Sequence, residues 1–169
     1  MSNTNGIAGL RIRPAQVHEA GDLTQLAIDS KSHWNYTPEQ IALWRGELTA
    51  PIDAIATGRA YVGEIDYKIV AVMVLTPGPM KWKLDYFFVA PTQSEQAVGK
   101  AMFDHAIEVA KKGGARAVTI DADPFAESFY VACGAVRSHT VAAPIEANAN
   151  RVRPQMLFLI PTRKVGLPV

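Results

Sequence analysis

Cysteine is nearly absent: Cys133 is the single one among 169 residues, so neither an internal disulfide nor a paired-cysteine metal site can form. That suits a reducing compartment, and a cytoplasmic location is expected. An excess of charge of either sign is also missing. Seventeen Lys and Arg stand against sixteen Asp and Glu, a formal net charge of +1, which excludes the bulk attraction that nucleic-acid and anionic-membrane binders exert on polyanions. Long hydrophobic runs are lacking too. The longest, Ile69 to Leu75, is far short of a bilayer span, and the opening MSNTNGIAGL has neither the basic start nor the apolar stretch of a targeting segment. Neither nucleic acid nor membrane is therefore an expected partner. What is present is apolar content of 49%, enough for one domain to bury a core without staples.

The first nine residues, rich in Asn, Ser, Thr and Gly, read as a disordered tail; residues 10–162 read as one domain and 163–169 as a second tail. Leu10 to Arg13 alternates as a half-buried strand ended by Pro14. Asp22 is placed to cap a helix whose stripe is Leu23, Leu26, Ala27 and Ser30. Thr37-Pro38-Glu39-Gln40 is a second start signal, with Ile41, Trp44 and Leu48 on one face of the helix that follows. Ala60 to Ile65 and Ile69 to Leu75 form a hairpin across Asp66-Tyr67-Lys68, and Trp82 to Val89 is a third, aromatic-rich strand. A helix through Val98, Met102, Ala106 and Ala110 ends at Lys111-Lys112-Gly113-Gly114. A short strand to Asp121, a helix capped by Asp123-Pro124 and stopped by Gly134, and strands near Val136 to Val141 and Met156 to Ile160 complete an α+β order without linker or repeat. Between the last two lies a polar loop, Pro144 to Asn150.

Three stretches carry candidate chemistry. Val89 to Met102 runs from a strand through a loop into a helix start, where unpaired N–H groups and the positive dipole end can hold a phosphate. Ala97, Gly99 and Ala101 permit close approach and Lys100 adds a charge, yet a single glycine equally suits an ordinary connecting loop. In Asp121 to Gly134 the stripe Ala126, Phe129, Tyr130, Cys133 is accounted for by core packing at Phe129 and Cys133. Tyr130 differs in kind, because a hydroxyl at the end of a buried ring can give a proton to a leaving group. Asp85 stands within the aromatic strand: on a sequestered face desolvation makes it a general base, on a wet face it is a surface residue, and alternation leaves both open. His105, beside Asp104, is expected to face solvent.

Together these residues resemble the GCN5-related N-acetyltransferase superfamily. The resemblance is carried by a strand ending in Val89-x-Pro91, a loop carrying Gly99-Lys100-Ala101-Met102-Phe103 into a helix, a strand ending at Asp121, and Asp123-Pro124-x-Ala126-Glu127-x-Phe129-Tyr130-x-x-x-Gly134-Ala135. Ser30 to Tyr36 and Asn150 to Pro154 look like a bacterial branch of small acetyltransferases, so that the likeness spans residues 10–160. It implies a GNAT fold: a mixed, splayed central sheet of six to seven strands flanked by about four helices. It also implies acetyl-CoA as cosubstrate and no metal, with the cosubstrate held in the splay by Phe87, Phe88, Val89, Ser94, Glu95, Gln96, Ala97, Val98, Gly99, Lys100, Ala101, Asp123, Phe125, Ala126 and Phe129. Tyr130 matches the general acid. Asp85 falls where family members often place a glutamate base and, one methylene shorter, is expected to work through a water. A primary amine would attack the thioester directly, with the oxyanion held by a strand amide near Phe88 or Val89 and with Cys133 in no covalent role. The acceptor, a small-molecule or peptide amine, would lie against His33, Trp34, Tyr36 and Arg151, and family habit implies a homodimer.

Two features depart from the family pattern. Ser94, Ala97 and Gly99 fall where the usual loop has Arg or Gln, Gly, and Gly or Ala, although a shifted register, Gln96-x-x-Gly99-x-Ala101, satisfies the pattern formally. Phe125 replaces an asparagine that helps hold the cofactor, a loss of about 1 kcal/mol at the usual worth of a hydrogen bond. These departures keep two further readings in play: a non-catalytic acyl-CoA binding or regulatory module, and an interaction domain with no cofactor.

Overall fold

The computed structural model describes residues 7–92 and 94–162, and the expected tails fall largely outside them. Seven strands form one sheet: β1 (Arg11–Pro14), β2 (Ala60–Ile65), β3 (Lys68–Thr76), β4 (Lys81–Val89), β5 (Ala117–Asp121), β6 (Val136–Ala142) and β7 (Val152–Leu159). The spatial order is β1-β2-β3-β4-β5-β7-β6. All neighbours are antiparallel except β4 and β5. One face is covered by α5 (Glu95–Lys112), which buries Val98, Met102, Phe103 and Ala106 against Met73, Leu84, Val118 and Met156. The other carries α1 (Ala20–Ser32) and α4 (Ile52–Ala56), which close Leu23, Leu26 and Ile55 over Val62, Val72 and Val74. This is the α+β architecture expected, with a splayed sheet.

Local chemistry explains most boundaries. Thr37 caps α2 (Pro38–Leu43) by accepting from the Gln40 N–H at 3.1 Å. Asp66 and Tyr67, both at positive φ (+50° and +64°), make the two-residue turn between β2 and β3 without a glycine. Pro14 lies within β1 rather than beyond it, which an edge strand tolerates. Asp22 is in the first turn of α1 and not its cap; the entry is instead a 3-10 turn, Val17–Glu19, closed by Gln16 and Glu19. The helix expected after Thr37 breaks at Trp44 into α2 and α3 (Arg45–Leu48), and α4 was not anticipated. His105 does not face solvent: it is half-buried against the Tyr61 ring, 5.6 Å away, and burial lowers its pKa.

Arg13 fixes the sheet edge through Glu19 (2.6 Å) and Glu64 (3.2 Å). The Arg13 guanidinium holds the Glu19 carboxyl below the usual range against the opposing effect of burial. A lowered folded pKa stabilises above the unfolded value, about 4.3, and the gain disappears as pH falls through the folded one. Glu19→Gln is therefore expected to cost about 1.5–3 kcal/mol at neutral pH, the worth of a hydrogen bond to a charged group, and progressively less as pH falls below about 4.3. Thermal melts across that range check this; a gap that persists in acid contradicts it.

Two features of β4 open the sheet. β4 pairs with β5 only from Lys81 to Leu84, so Asp85 to Val89 has no partner strand on that side. Between Val72↔Phe88 and Val74↔Asp85 the register with β3 shifts by one residue, and Tyr86 within this bulge has φ +44°. Its hydroxyl donates to the Leu48 carbonyl at 2.6 Å, tying the bulge to the end of α3.

Candidate functional site

The splay between the free half of β4 and α6 (Glu127–Ala132), which follows a 3-10 turn at Pro124–Ala126, holds a cleft of about 720 Å³. Of the expected cofactor residues, Phe87, Val89, Glu95, Gln96, Ala97, Gly99, Lys100, Phe125, Ala126 and Phe129 line it. Val98 and Ala101 point into the core beneath α5, Ser94 is the residue that precedes this helix, and Phe88 and Asp123 turn to a second cavity. At the start of α5 the Glu95 N–H donates to Thr92 O and the Val98 N–H to Ser94 O. Fewer amides thus remain for an anion than the run from Glu95 to Lys100 suggested, and Gln96 and Ala97 are those of the first turn that also line the cleft. Lys100 lies along the same wall, paired with Asp104 at 2.9 Å. Gly99 is there for a packing reason: a Cβ would stand 3.0 Å from the Phe129 ring and 3.7 Å from Val89.

Tyr130 lines both cavities and is only 5% exposed. Its ring packs against Phe87, Phe103 and Phe129. Burial, followed by the nearby Cys133, Asp123 and Asp85, pushes its pKa upward, so the phenol keeps its proton. The Cys133 thiol, on the cleft wall, is likewise pushed up by burial, which fits an inert side chain. Asp85 faces water: its carboxylate accepts from the Tyr86 N–H at 3.0 Å and stands 3.5 Å from Lys83 Nζ, yet it lines the second cavity beside Tyr130. Of the two alternatives left open for it, the wet face is the one found.

That second cavity, about 200 Å³, is walled by Trp34, Trp44, Tyr86, Phe87 and Phe88 and carries Lys31, Glu47, Asp121 and Arg153. Among the residues expected to hold the acceptor, Trp34 borders both cavities and His33 the larger one. Tyr36 and Arg151 border neither; they belong to a buried cluster around Asp123. Asp123 Oδ2 accepts from Lys31 Nζ (2.6 Å), Tyr36 Oη (2.9 Å) and Arg151 Nη2 (3.2 Å), while Oδ1 caps the Pro124 turn through the Phe125 N–H (2.9 Å). The Lys31 ammonium also lies 4.7–5.7 Å from the rings of Trp34, Tyr36 and Trp44. Burial lowers the Lys31 pKa against the pull of Asp123, and burial raises that of Tyr36 to about 12. Glu47 carried no sequence signal; Trp44 and Tyr86 read only as members of a helical stripe and an aromatic strand, and Lys31 and Arg153 only as members of the stretches Ser30 to Tyr36 and Asn150 to Pro154.

The model of the acetyltransferase (GNAT) family matches residues 22–135. No curated protein is matched. A GCN5-related N-acetyltransferase from Rhodopseudomonas palustris superposes with a TM-score of 0.73 at 20% identity, over 90% of this chain and 97% of its own. The PaiA N-acetyltransferase of Thermoplasma acidophilum, in complex with coenzyme A, gives 0.69 at 16% identity, over 89% and 98%. An aminoglycoside 6′-acetyltransferase of type Ii gives 0.66 at 16% identity, over 90% and 99%.

Proposed function

This chain belongs to the GNAT family of acetyltransferases, and from that premise we propose that it transfers the acetyl group of acetyl-CoA to a primary amine. The observation that carries the reading is the cleft in the splay, with the first turn of α5 along its wall and the buried Tyr130 lining both this cleft and the second cavity. The residues fit the cosubstrate. The α5 amides and Lys100 suit a pyrophosphate, and the close packing at Gly99 keeps the wall clear.

When bound, acetyl-CoA supplies the activated thioester carbonyl. The amine nitrogen of an acceptor in the second cavity bonds to that carbon as the carbon–sulfur bond breaks. Asp85, wet and outward, receives the amine proton through a water, and Tyr130 gives its proton to the departing sulfur. An amide of β4 near Phe88 or Val89 faces the developing oxyanion. A neutral Cys133 takes no part. The single cysteine fits a reducing cytoplasm, and a homodimer, drawn from family habit, is checked by light scattering.

Calorimetric titration with acetyl-CoA and an acceptor screen with Tyr130→Phe as control test the reading. Binding together with Tyr130-dependent transfer supports it; no binding at millimolar ligand overturns it. A second reading is favoured by Ser94, Ala97 and Phe125 and by the Glu95 carboxylate on the cleft wall: a CoA-binding module without chemistry. It predicts stabilisation by CoA with no transfer to any amine. Gly99→Ala is expected to displace the Phe129 ring and weaken CoA about tenfold, roughly 1.4 kcal/mol; an unchanged Kd shows that the ring absorbs the methyl.

A further inference from the structure

We infer that the acceptor is an α-amino acid whose carboxylate is held by Lys31 while its amine is presented to Asp85 and Tyr130; this rests on the acetyl-transfer reading of the site. The buried cluster is short of negative charge. Lys31 and Arg151, 15% and 6% exposed at their side chains, share one carboxylate, Asp123, which is 5% exposed. Both oxygens of Asp123 are taken, and Arg151 is further spent on Tyr36 and on the Ala143 carbonyl. An ammonium has three N–H donors; Asp123 accepts one from Lys31, and Lys31 borders the second cavity.

Uncompensated charge is costly where it is buried and cheap where water screens it, so the buried groups decide which ligand completes the set. A second donor points the same way. Arg153 Nε is buried and, although 3.0 Å from Asp121 Oδ1, is out of line for a hydrogen bond. The exposed carboxylates in the cavity have other company: Asp85 has Lys83, and Asp121 has Gln155 at 2.8 Å. Glu47 is exposed and acts on Lys31 only through space. A zwitterion matches an interior cation and an outer anion. A diamine would place its second ammonium against Lys31, and a cavity of about 200 Å³ suits a single amino acid.

The test pairs each amino acid with its decarboxylated amine: glycine with methylamine, phenylalanine with phenethylamine, lysine with cadaverine. At least one amino acid is expected to be acetylated with kcat/KM tenfold or more above its partner. Lys31→Met is expected to bring that ratio toward one by raising KM for the amino acid, and Lys31→Arg to retain it. Ratios at or below one in every pair overturn the inference, and the wild-type panel decides this even if Lys31→Met does not fold. A binding arm separates this claim from the transfer reading: amino acids are expected to raise the Tm of the CoA-bound protein above the effect of the matched amines. Protection without transfer upholds the carboxylate site at Lys31 but defeats the transfer reading, and with it the claim that the amino acid is an acceptor. Protection by the amines alone, or by neither, defeats the inference.

Discussion

Tyr130→Phe is expected to lower kcat about 10²–10⁴-fold, the usual worth of a positioned general acid, with no change in the Kd for acetyl-CoA. The ring is the larger part of the contact with Phe87, Phe103 and Phe129 and survives the substitution. The hydroxyl gains nothing from folding: burial is the leading cause of its raised pKa, and no hydrogen bond to a described residue offsets it. The substitution breaks no hydrogen bond to a described residue and keeps the ring in place, so Tm is expected to hold. A raised pKa also means that the proton stays in place through the alkaline range. The wild-type rate is therefore expected to climb with pH as the acceptor amine loses its proton and to show no descending limb from Tyr130 near the ordinary tyrosine value of about 10. Steady-state kinetics over pH, with single-turnover rates for the variant, check both points. A variant within about threefold of wild type would place the acid elsewhere.

Much of this site was legible because it is contiguous. Val89 with Glu95, Gln96, Ala97, Gly99 and Lys100, and Phe125, Ala126, Ser128 and Phe129, line the cleft from two short runs of chain, so reading those runs as units found most of the wall. Within α5 the reading was too generous, because a helix turns every third or fourth residue inward: Val98 and Ala101 belong to the core. The caps at Thr37 and Asp123 were legible because capping acts within three residues. Asp85 could not be settled by alternation. Its outlook depends on the bulge at Tyr86, and that bulge is a mismatch between β4 and β3, strands whose register no local pattern fixes. Lys31, Asp123 and Arg151 lie more than ninety and nearly thirty positions apart in pairs, and only the folded chain brings them to one oxygen atom.

Asp123→Asn is expected to be the most destabilising single change in the site, because it leaves two buried cations without an anion. Breaking a buried ion pair by removing one partner costs about 3–5 kcal/mol, which for a chain of this length lowers Tm by roughly 6–20 °C. Lys31→Met has the opposite logic. It removes the cation that burial already disfavours, leaves Asp123 and Arg151 as a balanced pair, and puts a thioether between Trp34 and Trp44, which sulfur tolerates well. Its Tm is expected within a few degrees of wild type, or above it. The sign of the pH effect separates charge from shape. A lysine whose folded pKa is lowered binds fewer protons folded than unfolded, so wild-type stability gains as pH rises through the folded value toward about 10.4, and the methionine variant lacks that gain. Equal losses in the two variants would mean that packing, not charge, holds the cluster. If instead Lys31→Met is the stable one and yet loses the preference for a carboxylate, the excess positive charge lowers stability and is retained for recognition, the exchange expected of a group kept for its ligand rather than for the fold.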